Sequence, residues 1–306
     1  MNTLTKLNRG FALAAIASAG LLASCSSGDP TASSSAGSSR LVVGSQAYYS
    51  NEIIAEVYSQ ALEAEGYAVK REFQIGQREV YLPELTEGKI DVFPEYTGSL
   101  LQALDKDAGS GSSRFVFDSL TKVLPDGLTA LDPAPASDQN SWTVTKEFAE
   151  KYQLTDLASL KNVTDGVTVG GNSELETRPY GPKFLTSKYG VKVNRFRAVE
   201  DGGGPLTVKA LTSGAIQLAN IYTADPNIAK NNLVSLADPD GLFLPDNIAP
   251  IVSDDVDQGA REILTSISRQ LTQDALVQLN SESVNEKKSA KNVAAAWLKG
   301  LGNDGS

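Results

Sequence analysis

An internal repeat with a fixed offset of 126 residues constrains the fold of this chain more than any other feature of its sequence. Three blocks recur at this offset: Leu85–Ile90 as Leu211–Ile216, Tyr96-Thr97 as Tyr222-Thr223, and Gly44 as Gly170. Any two βαβ units share some features, but a single register for three blocks indicates two halves of similar structure. The sequence therefore predicts two related lobes.

Each half has the pattern of an α/β lobe. Short apolar runs predict strands at 41–45, 69–73, 90–93, 167–171 and 191–196. Apolar residues at helical spacing, followed in each case by a glycine, predict helices at 51–65, 80–87 and 182–189. The alternation of strands and helices predicts a parallel sheet in each half. Two more helices, over 257–279 and 287–301, are expected to complete the first lobe.

The lobes are predicted to meet at a ligand-binding cleft. Their predicted bounds are 40–135 together with 246–306, and 136–245. In open α/β sheets, ligands bind beyond the carboxyl ends of the strands. Tyr96 and Tyr222 each follow a predicted strand, one in each lobe, so both are expected at the cleft. Tyr48 and Tyr49 follow the first strand, and the sequence does not decide which of the two faces the ligand.

The first 24 residues have the features of an export signal. Lys6 and Arg9 precede an apolar run over 11–22 that is too short to span a bilayer. The run Leu22-Ala23-Ser24-Cys25 resembles a bacterial lipobox, in which the cysteine becomes the lipid-modified N-terminus. Residues 25–39, mostly Ser, Gly and Ala, predict a flexible tether.

These features predict an extracytoplasmic protein that is anchored to the cell membrane through Cys25, on its periplasmic or cell-surface side. The alternative is an ordinary secretory signal followed by an incidental cysteine.

The composition excludes several classes of chemistry. The chain has no histidine and one cysteine, which removes His-activated hydrolases, His-ligated zinc or haem, and multi-Cys clusters. A formal net charge of −10 argues against binding to nucleic acid. We therefore expect a binding protein without enzymatic activity, cofactor or metal. Two alternatives stay open: a carboxylate-based enzyme on the same fold, using Glu79 or Asp246, and a sensory or adhesive surface lipoprotein.

Three segments carry a resemblance to a known family: Gly44–Gln46, Asp91–Ser99 and Asn220–Asp225. Over residues 40–302 the chain resembles the glycine betaine/choline/carnitine-binding components of osmoprotectant ABC importers, with the Pro-Glu-Tyr-Thr-Gly run as the most specific mark. The resemblance implies a two-lobed periplasmic-binding-protein-like (type II) fold. It also implies a monomer that captures a quaternary ammonium compound and delivers it to a permease with an ATPase subunit.

The resemblance implies an aromatic cage for the cation. A quaternary ammonium group has no N–H to donate, so the faces of aromatic rings attract it instead. Tyr96, Trp142 and Tyr222 take the positions of cage aromatics. Ser99 stands where the family has a hydroxyl that bonds the polar end of the ligand, and Asn140 is expected to assist Trp142.

Four polar residues leave the ligand open within this class. Arg178 resembles an arginine that holds a carboxylate in betaine-binding members, and Gln46 stands where some members have lysine. Asp246 replaces a fourth cage tyrosine, and Glu79 aligns with an acidic residue of choline-selective relatives. The two acids favour a cation such as choline, whereas Arg178 favours a betaine. A larger cation such as ergothioneine is a further alternative.

Several of these residues also have a purely structural interpretation. The structural alternatives are core packing for Trp142, a local ion pair with Glu174 or Glu176 for Arg178, a helix cap for Gln46, a solvated turn for Asp246, and a helix N-terminal charge for Glu79.

Overall fold

Two five-stranded sheets, one in each lobe, form the framework of the protein. The computed structural model describes residues 40–303. The first sheet contains β1 (Leu41–Gly44), β2 (Val69–Glu72), β3 (Val92–Tyr96), β4 (Leu128–Ala130) and β10 (Ile248–Ser253). The second contains β5 (Asn140–Thr145), β6 (Val167–Gly171), β7 (Val193–Ala198), β8 (Leu218–Tyr222) and β9 (Leu233–Ser235).

The two sheets have the same strand order, which confirms the internal repeat. The first runs β2-β1-β3-β10-β4 and the second β7-β6-β8-β5-β9. Gly44 and Gly170 end or nearly end the equivalent strands β1 and β6. A side chain at Gly44 would come within 3.1 Å of Ile90, and one at Gly170 would collide with Ile216, the repeat equivalent of Ile90. The repeated glycine therefore lets a buried isoleucine pack against the strand.

The parallel pairing predicted from the βαβ pattern is confirmed for three strands of each sheet, but each sheet also contains antiparallel pairs. The pairs β1–β2, β1–β3, β6–β7 and β6–β8 are parallel, but β10 and β5 each run antiparallel to both neighbours. Each of these two strands enters its sheet from the other lobe rather than through a right-handed βαβ crossover. The βαβ pattern in the sequence covers only the three strands that such crossovers connect.

Helices surround both sheets. In the first lobe they are α1 (Tyr49–Ala64), α2 (Arg78–Thr86), α3 (Thr97–Leu104) and α4 (Ser113–Val123). The second lobe has α5 (Lys146–Tyr152), α6 (Pro182–Tyr189), α7 (Pro205–Thr212) and α8 (Asn227–Lys230). The chain ends with α9 (Gln258–Gln270), α10 (Gln273–Glu286) and α11 (Ala290–Asn303).

The last three helices pack against α1 and share one apolar core with it, as expected for a segment that completes the first lobe. The prediction of a single helix over 257–279 is wrong. Leu271 leaves the helical conformation (φ −77°, ψ 85°), and the Thr272 hydroxyl accepts a hydrogen bond from the Ala275 N–H at 3.2 Å. Thr272 therefore caps a new helix, α10.

Two chain segments connect the lobes, over 131–139 and 236–247. They pair as a short antiparallel ribbon: the Asp138 N–H donates to the Asp246 carbonyl at 3.2 Å, and the Ile248 N–H donates to the Ala136 carbonyl at 3.2 Å. The predicted lobe boundaries at 135 and 245 fall within these segments. A two-stranded connection of this kind is a suitable hinge.

The predicted export signal, Cys25 and the tether lie outside the described residues. Within 40–303, none of the helices is long and apolar enough to cross a membrane.

Candidate functional site

A cavity of about 760 Å³ lies between the lobes. The first lobe contributes one side of α2 and α3, and the second lobe contributes the segment 177–180. The lining residues are Arg78, Glu79, Leu82, Pro83, Thr86, Ser99, Gln102, Ala103, Lys106, Thr177, Arg178, Pro179 and Tyr180. The volume lies within the ordinary range for small-molecule sites, roughly 300–1,000 Å³.

Arg178 and Glu79 form an ion pair across this cavity, from opposite lobes. Arg178 Nη2 donates to both carboxylate oxygens of Glu79 at 3.3 Å, and Nη1 donates to the Tyr180 hydroxyl at 3.0 Å. Glu174 lies 3.8 Å away, so the local ion pair is present as well. Burial alone would raise the Glu79 pKa, but the charge and hydrogen bonds of Arg178 outweigh it and lower that pKa. The Arg178 guanidinium therefore binds the Glu79 carboxylate at the place where the sequence predicts that it binds a carboxylate of the ligand.

Four tyrosines gather where the two lobes meet. Tyr96 and Tyr222 are the last residues of β3 and β8, rather than residues beyond them. The Tyr48 ring centroid lies 4.7 Å from that of Tyr222 and 5.0 Å from that of Tyr49. Tyr48 and Tyr96 are buried in the same core cluster, with Tyr49 and Tyr222 packed against it. The Tyr96 hydroxyl is buried and has no hydrogen-bond partner among the described residues.

Asp138 ties this tyrosine cluster to the hinge, and the sequence analysis missed it. Its carboxylate accepts the Tyr48 hydroxyl at 2.9 Å and the Ala224 N–H at 2.8 Å, one from each lobe. Burial, together with the charges of Asp225 and Asp246, raises the Asp138 pKa to about 7, although both hydrogen bonds oppose that change. In the sequence, the only indication of this role is that Asp138 lies two residues before Asn140, close to the predicted lobe boundary.

A second buried carboxylate, Asp246, lies on the other strand of the hinge ribbon. It accepts hydrogen bonds from Ser99, at 2.8 Å from the backbone N–H and at 2.5 Å from the hydroxyl. Asn140 Nδ2 donates to the same hydroxyl at 3.3 Å, whereas Asn140 Oδ1 is buried and has no partner in the described part of the chain. Asp246 is 2% exposed, so the interpretation as a solvated turn is wrong.

Under the tyrosine cluster lies a buried ion pair that the sequence analysis also missed. Arg78 donates to the Glu95 carboxylate through Nε and Nη2, at 2.9 and 2.8 Å. The same carboxylate accepts the Tyr81 hydroxyl at 2.6 Å and the Tyr96 N–H at 2.9 Å. This pair fixes the backbone of Tyr96 and presents Arg78 to the cavity. Glu95 belongs to the Pro-Glu-Tyr-Thr-Gly run, which was the signal in the sequence.

Three of the nine predicted ligand-binding residues line the cavity, namely Glu79, Ser99 and Arg178, and Asn140 and Asp246 line a crevice beside it. Tyr96 and Tyr222 lie at the lobe junction but do not line the cavity, and Trp142 and Gln46 lie away from it. Trp142 is fully buried in the core of the second lobe, and its indole N–H donates to the Tyr180 carbonyl at 3.2 Å. Gln46 is buried too, and its backbone N–H donates to Asn51 Oδ1 at 3.0 Å. Neither residue lines the cavity. Within 40–303, no group of three or more Cys, Asp or Glu side chains is placed to hold a metal ion.

The stability of the protein should depend on pH through Asp138. The folded state keeps this carboxyl protonated up to about pH 7, whereas an unfolded chain loses the proton near pH ~3.9. The free energy of unfolding should therefore fall by roughly 2–4 kcal/mol as the pH rises between these values. Urea denaturation at about pH 5 and about pH 8 measures this change.

In that experiment Asp138→Asn should flatten the pH dependence, and Asp246, Asp225 and Glu174, whose pKa values burial also raises, should contribute to what remains. Asp240→Asn is the matched control, because Asp240 is half exposed and pairs only loosely with Lys188, at 3.8 Å. Equal pH profiles for the wild type and Asp138→Asn would contradict the assignment.

Two α/β lobes, a two-stranded hinge and a cavity between the lobes define the class of two-lobed solute-binding proteins. The family model described as the substrate-binding domain of ABC-type glycine betaine transport systems matches residues 39–300. The chain belongs to this family, as its motifs indicated.

Named relatives agree with this assignment. The chain is 29% identical to the glycine betaine-binding protein YehZ of Escherichia coli, over 85% of this chain and 90% of that protein. It is 24% identical to the ergothioneine transport permease/binding protein EgtU of Helicobacter pylori, over 86% of this chain but only 48% of that protein. A solved glycine betaine/carnitine/choline ABC transporter structure has the same fold (TM-score 0.68, 19% identity, covering 85% of this chain and 97% of that one).

Proposed function

We propose that this protein is the extracytoplasmic substrate-binding subunit of an ABC importer for a small quaternary ammonium compound of the glycine betaine, choline or carnitine type. The observation that carries the proposal is the contact of Arg178 with Glu79 across the cavity, beside a cluster of tyrosines from both lobes. A betaine requires two kinds of group from its binding protein. A guanidinium binds its carboxylate, and the faces of aromatic rings bind its methylated cation. The protein performs no chemistry, and it delivers its ligand to a permease with an ATPase subunit.

In this proposal, capture is an exchange of partners. Glu79 is 57% exposed at its side chain, whereas Arg178 is 13% exposed. Glu79 is the exposed partner of the pair, so it regains its hydration when it leaves Arg178. A ligand carboxylate can therefore replace Glu79 at Arg178 at small cost, and closure of the lobes about the hinge then secludes the ligand.

A panel of ligands tests the proposed class. Glycine betaine, choline, carnitine, proline betaine and ergothioneine are added separately to the purified protein, and the melting temperature is recorded. A ligand that binds only the folded state must raise this temperature. A second candidate ligand is ergothioneine, a larger betaine that contains a ring, favoured by the similarity to EgtU and by the volume of the cavity. The same panel separates the two candidates.

The role of Arg178 is tested by a double difference between two ligands. Arg178→Ala should cost glycine betaine several-fold more affinity than it costs choline, because only the betaine has a carboxylate for the guanidinium. Calorimetric titration of the wild type and variant with both ligands measures this. Arg195→Ala, an exposed arginine of the second lobe, is the matched control. A double difference near zero would make Arg178 a structural ion-pair partner, and choline would become the preferred ligand.

We also propose that Cys25 carries a lipid anchor and that the mature protein is a monomer. Cys25→Ser should abolish lipid modification, because Cys25 is the only cysteine in the sequence and the Leu-Ala-Ser-Cys run places it at the cleavage site. Metabolic labelling with a clickable fatty acid measures the modification. Equal labelling of wild type and variant would exclude Cys25 as the anchor.

A further inference from the structure

Ser99, Asn140 and Asp246 form a polar cluster in which some hydrogen-bond acceptor sites are not used by the described residues. A carboxylate offers about four acceptor sites, and Ser99 occupies two of those on Asp246. Asn140 Oδ1 is buried on a residue that is 5% exposed, and nothing within 40–303 donates a hydrogen bond to it. An unpaired buried acceptor costs about 1–3 kcal/mol unless a donor reaches it. The unused sites are all acceptors.

These residues adjoin the cavity between the lobes. They line a narrow crevice together with Gln102, Tyr180, Phe243 and Leu244, and this crevice shares Ser99, Gln102 and Tyr180 with the cavity. In this arrangement the crevice has no room even for a water molecule, so a ligand group reaches it from the cavity only when the lining side chains move apart. Because the Ser99 hydroxyl donates to Asp246, it is not available to donate to the ligand.

We propose that Asp246 and Asn140 form a subsite that accepts a hydrogen bond from an O–H or N–H group of the ligand, close to its cationic centre. This inference rests on the proposed function and narrows it: the substrate carries a donor group in addition to its cation. Choline and carnitine have such a hydroxyl, whereas glycine betaine has neither an O–H nor an N–H. A ligand with a hydroxyl and a carboxylate, such as carnitine, would use this subsite and Arg178 together.

The electrostatic surroundings of Asp246 agree with this role. Burial raises its pKa to about 6, against the opposing hydrogen bonds from Ser99 and the charge of Arg78. Glu95 faces it from β3, and Asp138 and Tyr96 interact with it from the hinge and the tyrosine cluster. At pH 7.5 the group is a carboxylate, the stronger acceptor.

Three pairs of ligands that differ only in the donor test the proposal at pH 7.5. The pairs are choline against ethyltrimethylammonium, carnitine against γ-butyrobetaine, and N,N-dimethylglycine against glycine betaine. The wild type should bind the donor-bearing member of at least one pair roughly 10- to 100-fold tighter, the effect of one hydrogen bond to a charged group. Asp246→Asn should reduce that preference to about threefold or less, as an amide is a weaker, uncharged acceptor.

The ratio within a pair is the readout, because a general loss of affinity or stability would affect both members alike. Asp240→Asn, a half-exposed acid of the same connecting segment, should keep the wild-type ratio. If Asp246→Asn does not fold, Asn140→Ala provides the same test, since it removes the proposed acceptor Oδ1 and, among the described side chains, only the long hydrogen bond from Nδ2 to the Ser99 hydroxyl.

The outcomes separate this inference from the proposed function. Preference in the first two pairs assigns the donor as a hydroxyl, and preference in the third assigns it as an N–H. Equal binding of both members in every pair, or a preference that survives Asp246→Asn and Asn140→Ala, overturns the inference and leaves the proposed function standing. Failure of all six compounds to bind the folded wild type overturns both.

Discussion

Replacing Arg78 by alanine is expected to lower the free energy of unfolding by roughly 3–5 kcal/mol. The change leaves the Glu95 carboxylate, which is 0% exposed, without its charged partner inside the first lobe. Breaking a buried ion pair costs more than the pair itself contributes, because the remaining charge stays desolvated. Urea denaturation of the wild type and variant measures the difference.

The control for this experiment is Arg114→Ala. Arg114 also forms a close ion pair, at 2.9 Å from Asp118, but its side chain is 79% exposed. An exposed pair contributes about 0–1 kcal/mol, so this variant should be nearly as stable as the wild type. Equal losses in both variants would mean that burial of Glu95 does not set the cost.

Alanine at Tyr96 or at Tyr222 is expected to weaken quaternary ammonium binding by roughly 1–3 kcal/mol, whereas phenylalanine keeps most of the affinity. The ring face attracts the cation, and at Tyr96 the hydroxyl has no hydrogen-bond partner to lose. Calorimetric titration of the four variants decides between ring and hydroxyl.

Tyr152→Ala is a suitable control for the tyrosine variants. Tyr152 packs on Phe148 in the second lobe, with ring centroids 4.8 Å apart, and it belongs to a different core cluster from Tyr96 and Tyr222. Its removal should leave ligand affinity unchanged. If the Tyr96 and Tyr222 variants with alanine bind as tightly as the wild type, the tyrosine cluster does not hold the ligand.

The architecture could be predicted from local patterns because it is repeated. The offset of 126 residues placed equivalent strands in both lobes and brought Tyr96 and Tyr222 to the lobe junction. The antiparallel strands β5 and β10 could not be predicted in the same way. β5 pairs with β8 and β9, and β10 pairs with β3 and β4, all of which are distant in sequence. The alternation of apolar residues in a strand does not show whether the strand runs parallel or antiparallel to its neighbour.

The polar contacts of the site join residues that are distant in sequence, so the spacing of residues along the chain does not predict them. Arg178 has acidic neighbours in sequence, yet its second carboxylate partner is Glu79, which lies in the other lobe. Asp138 and Asp246 have no charged neighbour that would mark them, and only pairing of the two hinge strands brings them together. For Trp142 the sequence predicts contact with the ligand, but the structure places the side chain in the core of the second lobe.

The central claim, that the cleft binds a small quaternary ammonium compound, is tested most directly by calorimetric titration of the purified wild-type protein. Glycine betaine, choline, carnitine and ergothioneine are titrated separately at constant salt. We expect saturable binding of at least one of them, with one site per chain and a Kd near the micromolar range, or about −8 kcal/mol. A folded protein that shows no heat of binding with any of the four, at concentrations far above that range, would contradict the claim.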